Sequence, residues 1–203
     1  MKPFTVVQGP AAPLLLDNID TDVIVRIERI ARHKRGEFAR WAFEALRYLP
    51  DGAENPDFIL NRQPFREAKI LVAGANFGCG SSREMAVWAI AEFGIRCVVA
   101  ESYGDIFYNN CLQNGVLAIT LPRREIDALA ADAARGVPVT ADLQACTLSS
   151  PGVGALGFTI PASQRETLLS GLDEVGLTLR MAQRIDQFQR QDADARPWVY
   201  AGV

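Results

Sequence analysis

The chain has 203 residues, 49% of them apolar and 22% charged, with a formal net charge of −3, which suits one domain, or one with a small appendage, around a real hydrophobic core. Slight acidity gives no basic face, so a nucleic-acid partner is not expected. No run approaches the ~18 apolar residues of a membrane span, and the opening MKPFTVVQGP lacks the apolar stretch of a signal peptide, so no membrane contact and a cytoplasmic location are expected.

In chain order, LLLDNIDTDVIV sets two apolar runs around an acidic turn and reads as strand, loop, strand. From Glu37 to Leu49, apolar residues at Phe38, Trp41, Ala42, Ala45, Leu46 and Leu49 fall at helical spacing. PDGAENPDF breaks that pattern with prolines and a glycine. KILVAG is a short buried strand ending in glycine. SSREMAVWAIAEFG reads as a helix with serine cap candidates at its start and Gly94 at its end. IRCVVAE is a second strand. SYGDIFYNNCLQNG reads as a helix with Ser102 as a cap, VLAITL as a third strand stopped by Pro122, and RREIDALAADAARG as an amphipathic helix. Strands alternating with short helices predict an α/β core. After Val137 the glycines and β-formers of VPVTADLQACTLSSPGVGALGFTI predict a hairpin or meander. SQRETLLSGL and LRMAQRIDQFQRQ read as helices, and the tail DADARPWVYAGV as loose or docked on a neighbour. There is no internal repeat and no linker that splits the chain.

The stretch with chemistry in it is GANFGCGSSREMAVW, Gly74 to Trp88. It lacks the third glycine of a dinucleotide fingerprint, where Arg83 stands, and the lysine of a P-loop. It is not a nucleophile elbow either, because no serine stands between glycines at the required spacing. Glycines let the backbone turn sharply and let a ligand approach it. Ser81 and Ser82 fall at the start of the following helix, where free N–H groups and the dipole favour negative charge. Arg83 adds a permanent cation suited to a carboxylate or phosphate. The segment is an anion site with hydroxyls inside it. A serine that merely caps the helix is the plainer reading, although one cap needs neither three glycines nor an arginine.

A serine acting as a base needs more. A helix terminus supplies up to ~2 kcal/mol, and one pKa unit is ~1.4 kcal/mol. The helix alone therefore moves a hydroxyl by one or two units, and the loop is half of an active site. The four cysteines (Cys79, Cys97, Cys111, Cys146) form no CxxC pair and His33 is the single histidine, so no metal or cluster held by this chain is expected. Free thiols in a reducing compartment are expected instead.

NFGCGSSRE resembles the signature of the swivelling domain of the aconitase superfamily, and within it the small subunits of the isopropylmalate dehydratase (isomerase) family. DNIDTDVIV, NPDFILN and GDIFYNNCLQNGVLAITLP are similar to further motifs of that family, so the likeness runs from about Leu14 to Pro122. It implies a swivelling three-layer β/β/α domain of the aconitase type, a single domain over 1–203 with a C-terminal helical extension. It implies a large-subunit partner that carries a 4Fe–4S cluster, whose open iron accepts the leaving hydroxyl as a Lewis acid. The implied reaction is dehydration and rehydration of a small dicarboxylic hydroxyacid, interconverting 2- and 3-isopropylmalate. By the family pattern Ser81 is the base, Arg83 holds a substrate carboxylate, Ser82 assists, and Asp22 pairs with a histidine of the other subunit. A plain turn made by Asp20 and Asp22 remains the alternative for the last.

Two positions depart from the pattern. Met85 stands where His is usual after SSRE, and IVRIERIARHKRG replaces a proline-containing stretch that helps to read the variable group of the substrate. Arg26 or Arg29 there either meets a second carboxylate or is a solvated charge. A citramalate, dimethylmalate or homoaconitate type of dehydratase is the rival within the class. A non-catalytic anion-binding module is the rival outside it.

Overall fold

The structure, a computed structural model, describes residues 1–200. It divides into a first unit, Met1–Gly171, and a second that begins at Leu172. In the first unit β1 (Val6–Gly9) and β2 (Ala11–Leu14) are separated only by Pro10 yet enter different sheets. Short elements follow: α1 (Thr21–Ile24), α2 (Ile27–Ile30), a 3-10 turn at Ala39–Trp41 and α3 (Glu44–Arg47). Then β3 (Ile70–Ala73), α4 (Glu84–Phe93), β4 (Cys97–Ala100), α5 (Asp105–Gln113), β5 (Leu117–Thr120) and α6 (Arg123–Ala134) alternate. The antiparallel run β6 (Val139–Asp142), β7 (Thr147–Ser150), β8 (Gly154–Gly157) and the helix α7 (Ala162–Ser170) complete the unit.

Strands β2-β3-β4-β5 form a parallel sheet, and β1-β6-β7-β8 an antiparallel one. The parallel strands are buried on both faces, which is why they read as unbroken apolar runs. Leu71, Ala73, Val98, Ala100 and Ala118 face one cluster, shared with Val87 and Ile90 of α4 and Phe107 and Cys111 of α5. Ile70, Val72, Cys97, Val99, Leu117 and Ile119 face the other, with Leu129 and Ala133 of α6 and Val139, Ala141 and Leu148 of the antiparallel sheet. Each large side chain so buried contributes about 1.5–3 kcal/mol. The parallel sheet is thus the middle layer, as expected of a β/β/α domain.

Three local expectations fail for physical reasons. DVIV is not a strand: Asp20 accepts a hydrogen bond from Val23 N–H at 2.8 Å, and that cap starts α1 and overrides the β-branched residues. Glu37 to Leu49 is not one helix, because Phe43 sits at φ +55° with its ring fully buried and its N–H bonded to the Ile24 carbonyl at 2.8 Å. Ser102 does not cap α5, whose N-cap is Gly104; its Oγ accepts from Asn76 N–H at 2.8 Å instead.

The second unit holds α8 (Glu174–Leu179), α9 (Ala182–Ala195) and α10 (Pro197–Tyr200). Asp192 accepts from Arg196 Nε at 2.7 Å and from the Tyr200 hydroxyl at 3.0 Å, which folds α10 onto α9. The tail, expected to be loose or docked on a neighbour, forms the end of α9 and α10 up to Tyr200, and its last three residues lie outside the described ones. Among the described residues no helix is long and apolar enough to cross a membrane.

Candidate active site

The loops that follow β2, β3 and β4 meet at the carboxyl ends of the parallel strands, where open α/β sheets place ligands. The glycine-rich loop after β3 runs between the other two as a short ladder. Gly78 N–H donates to the Ile19 carbonyl at 2.7 Å and Thr21 N–H to that of Cys79 at 3.0 Å. On the other side Phe77 N–H donates to Ser102 O and Gly104 N–H to Phe77 O, both at 3.0 Å. Ala75 N–H is taken by Asp17 Oδ1 at 2.7 Å. Gly78 is required twice over: its φ is +71°, and a Cβ there would lie 2.1 Å from the Phe107 ring. The loop is a fixed platform.

Beyond it the chain enters α4. Ser81 and Ser82 are exposed, and neither caps the helix: α4 starts at Glu84 with Arg83 in the cap position and no side-chain bond there. Arg83 N–H goes to the Ser81 carbonyl at 2.9 Å, while the N–H groups of Glu84 and Met85 find no acceptor among the described residues. The start of α4 thus keeps free donors beside two hydroxyls, as an anion site requires.

Ser81 turns instead toward α1. Its Oγ lies 3.0 Å from Thr21 Oγ1. Its N–H donates to the same Oγ1 at 3.3 Å, and Thr21 Oγ1 reaches the Ser81 carbonyl at 3.3 Å. Asp22, the next residue of α1, forms an ion pair with Arg83. The Arg83 side chain is 16% exposed and that of Asp22 56%. Arg83 Nη1 is buried without an aligned hydrogen bond, so Asp22 compensates it through charge alone. Four expected residues (Asp22, Ser81, Ser82, Arg83) are thereby brought to one place. Thr21 was not among the expected ones; its signal was a β-branched hydroxyl between two aspartates in DTD.

Arg26 sits elsewhere. It is exposed at the start of α2 and lines an open cavity of about 590 Å3 with Arg29, Arg40, Trp41, Glu44 and Tyr48. Arg29 is engaged there: Nε donates to Glu44 Oε2 at 2.9 Å, and the guanidinium lies 3.7 Å above the Trp41 ring. The hydrogen bond from Arg29 holds the Glu44 carboxyl below its usual range and raises that of Arg29 in return. The guanidinium groups of Arg26 and Arg40 make no hydrogen bond or ion pair among the described residues, although that of Arg40 stacks on Trp41 at 4.4 Å. No contact joins Arg26 to the Ser81–Arg83 group among these bonds and ion pairs.

All four cysteines are free thiols. Cys97 and Cys111 are buried, and burial pushes both thiols up, which disfavours the thiolate a metal needs. Among the described residues no three of His, Cys, Asp or Glu converge on a point. These donors do not fit an iron–sulfur cluster.

Comparison with known proteins identifies the family. The family model of the aconitase C-terminal domain matches residues 1–124, which include α1, the glycine-rich loop and Ser81 to Arg83. The 3-isopropylmalate dehydratase small subunit of Rhodospirillum rubrum is 51% identical over 201 residues, covering 98% of this chain and 97% of that one. The chain belongs to the 3-isopropylmalate dehydratase small-subunit family. That of Dinoroseobacter shibae is 50% identical over 201 residues, covering 98% of this chain and all of its own. A second model, the C-terminal domain of 3-isopropylmalate dehydratase small subunits, matches residues 174–201. The crystal structure of a 3-isopropylmalate dehydratase from Methanocaldococcus jannaschii superposes with a TM-score of 0.67 at 27% identity, over 90% of this chain and 99% of that one. Family membership bears out the aconitase-type α/β fold expected from the motifs.

Proposed function

We propose that this chain is the small subunit of a cytoplasmic 3-isopropylmalate dehydratase of leucine biosynthesis, a hydro-lyase that works only with its large subunit. The names of the relatives support the substrate, and the four free thiols fit a reducing compartment. In this reading the large subunit holds the 4Fe–4S cluster, and this chain supplies the groups that handle the proton and the carboxylate.

The observation that carries the reading is the exposed Ser81 held between buried Thr21 and the unsatisfied start of α4, with Arg83 next to it. Dehydration removes a proton from the carbon beside a carboxylate and a hydroxide from the adjacent carbon, for which the partner's cluster would supply the Lewis acid. The Ser81 alkoxide takes that proton and becomes a hydroxyl. On rehydration it returns the proton to carbon, so the serine ends as it began. Arg83 has five N–H donors, of which Asp22 occupies one edge, leaving others for the substrate carboxylate. Ser82 and the free N–H groups of Glu84 and Met85 line the same spot. In this reading Arg26, which lines a cavity with Arg40, reads the variable end of the substrate. The first unit is then the swivel domain, and the helices from Leu172 on are its extension.

The test is Ser81→Ala mixed with a cluster-loaded large subunit. Turnover of isopropylmalate falls at least about a hundredfold, the low end for a positioned acid–base group, while stability falls only by the ~1 kcal/mol of the lost Thr21 hydrogen bond, since Ser81 caps nothing. Unchanged turnover would leave only an anion-binding module, and robust dehydration by the purified chain alone would remove the need for a partner.

A further inference from the structure

We propose that Thr21 is the positioning residue of the site, and that its hydroxyl holds Ser81 in place in both of the serine's protonation states. This rests on the reading of Ser81 as the base and adds a residue to it.

Thr21 is 1% exposed, so water does not reach its hydroxyl freely. Its backbone is pinned on both sides: its N–H donates to Cys79 O at 3.0 Å, and its carbonyl accepts from Val25 N–H at 2.9 Å. The cap at Asp20 fixes the turn that carries it. Around this fixed hydroxyl Ser81 places three polar atoms, N at 3.3 Å, O at 3.3 Å and Oγ at 3.0 Å. A threonine hydroxyl has one hydrogen and two acceptor lone pairs. With Ser81 protonated, Ser81 O–H and N–H both donate to Thr21 Oγ1, and the Thr21 hydrogen goes to the Ser81 carbonyl. Every group is satisfied.

With Ser81 as an alkoxide, the Thr21 hydrogen rotates from the carbonyl to Oγ. No heavy atom needs to move, and no proton leaves Thr21. The new bond is charge-assisted and therefore stronger than the one it replaces. A helix cap alone would not produce this pattern, since Thr21 and Ser81 lie on different elements sixty residues apart. A structural hydroxyl would need one partner, whereas this one is surrounded by all the polar atoms of one residue.

The experiment compares Thr21→Val, which keeps the shape and loses the hydroxyl, with Thr21→Ser, which keeps the hydroxyl, each assembled with the cluster-loaded large subunit. Thr21→Val is expected to lower kcat by about tenfold to a hundredfold, the worth of a hydrogen bond to a charged group, with KM little changed. Because the alkoxide loses a donor, the apparent pKa on the rising limb of the kcat–pH profile moves up. Thr21→Ser restores both the rate, to within about threefold, and the profile. Should Thr21→Val not fold, Thr21→Cys carries the same test, since a thiol is only a weak donor. If Ser81→Ala abolishes turnover but Thr21→Val keeps the wild-type kcat and pH profile, the inference about Thr21 falls alone. If Thr21→Val and Thr21→Ser lose equal activity with unmoved profiles, Thr21 is merely packing and the inference also falls. If Ser81→Ala keeps turnover, the base reading falls and takes this one with it.

Discussion

Gly78→Ala tests whether the site stands on a rigid platform. Two penalties meet at this position. An alanine at φ +71° carries about 1–2 kcal/mol of left-handed strain. Its Cβ would also sit 2.1 Å from Phe107 Cγ. That ring cannot retreat, because Phe107 is 2% exposed and packs edge-on against Phe77 with centroids 5.4 Å apart. Overpacking of this kind costs about 1–3 kcal/mol, so the sum is about 2–5 kcal/mol. Two controls separate the terms. Gly36→Ala, at φ +99° with nothing within 4 Å, has strain without a clash. Gly74→Ala has a clash without positive φ, its Cβ falling 2.6 Å from the Leu16 carbonyl oxygen. Urea unfolding of the isolated chain gives each value. Gly78→Ala should exceed Gly36→Ala by the overpacking term. If the two lose equal stability, Phe107 yields freely and the platform is not rigid.

Arg26→Ala should shift the ratio of kcat/KM values between isopropylmalate and hydroxyacids with a distal carboxylate by more than about tenfold, the worth of a good charged hydrogen bond; an unchanged ranking among isopropylmalate, citramalate and homocitrate would make Arg26 a solvated charge. Arg83→Ala should harm all three alike, because each presents the shared carboxylate. Asp132 concerns stability rather than turnover. Its buried carboxylate accepts from Ser150 Oγ and from Gly152 N–H at 2.8 Å and pairs with Arg135, which together hold its pKa below the usual carboxylate range. The stability it adds is full above the unfolded value of about 3.9 and is lost as pH falls through the depressed folded value. The stability gap between wild type and Asp132→Asn should therefore narrow from pH 7 into acid, and a gap constant with pH would refute the linkage.

The alternating core was legible because each element carried its own punctuation. KILVAG and IRCVVAE are short apolar runs, and Gly94 and Pro122 stop their neighbours where the structure does. What escaped was decided by contacts between distant segments. Ser81 and Ser82 look like caps, but the loop is tied to the segment around α1 by the bonds from Gly78 N–H to Ile19 O and from Thr21 N–H to Cys79 O, and α4 begins only at Glu84. The stripe from Phe38 to Leu49 is broken where Phe43 takes a left-handed turn, with its ring buried against Phe58 and its N–H on the Ile24 carbonyl. Arg47 is buried behind that turn, bonded to Asn61 and to the Ala39 carbonyl, a placement no local pattern announces. The site followed the same rule. Its charged and hydroxyl residues stand out within one loop and one DTD turn, whereas Thr21 gains its meaning only when those two come together.

The exposure of the site bears on why a second subunit is needed. Ser81, Ser82 and Asp22 face solvent in this chain. A cation 4 Å from an alkoxide is worth about 1 kcal/mol in water and about 4 kcal/mol at the effective dielectric near a covered protein surface. Here the charge of Arg83 is also offset by Asp22. Added to the ~2 kcal/mol of a helix terminus, the uncovered site falls far short of turning a serine hydroxyl into a base near neutral pH. Covering it multiplies each attraction about fourfold on the same scale, and a partner group that draws Asp22 away would release the Arg83 charge toward the substrate. On this reading Ser81 stays a hydroxyl until the large subunit docks, so assembly and activation of the base are one event.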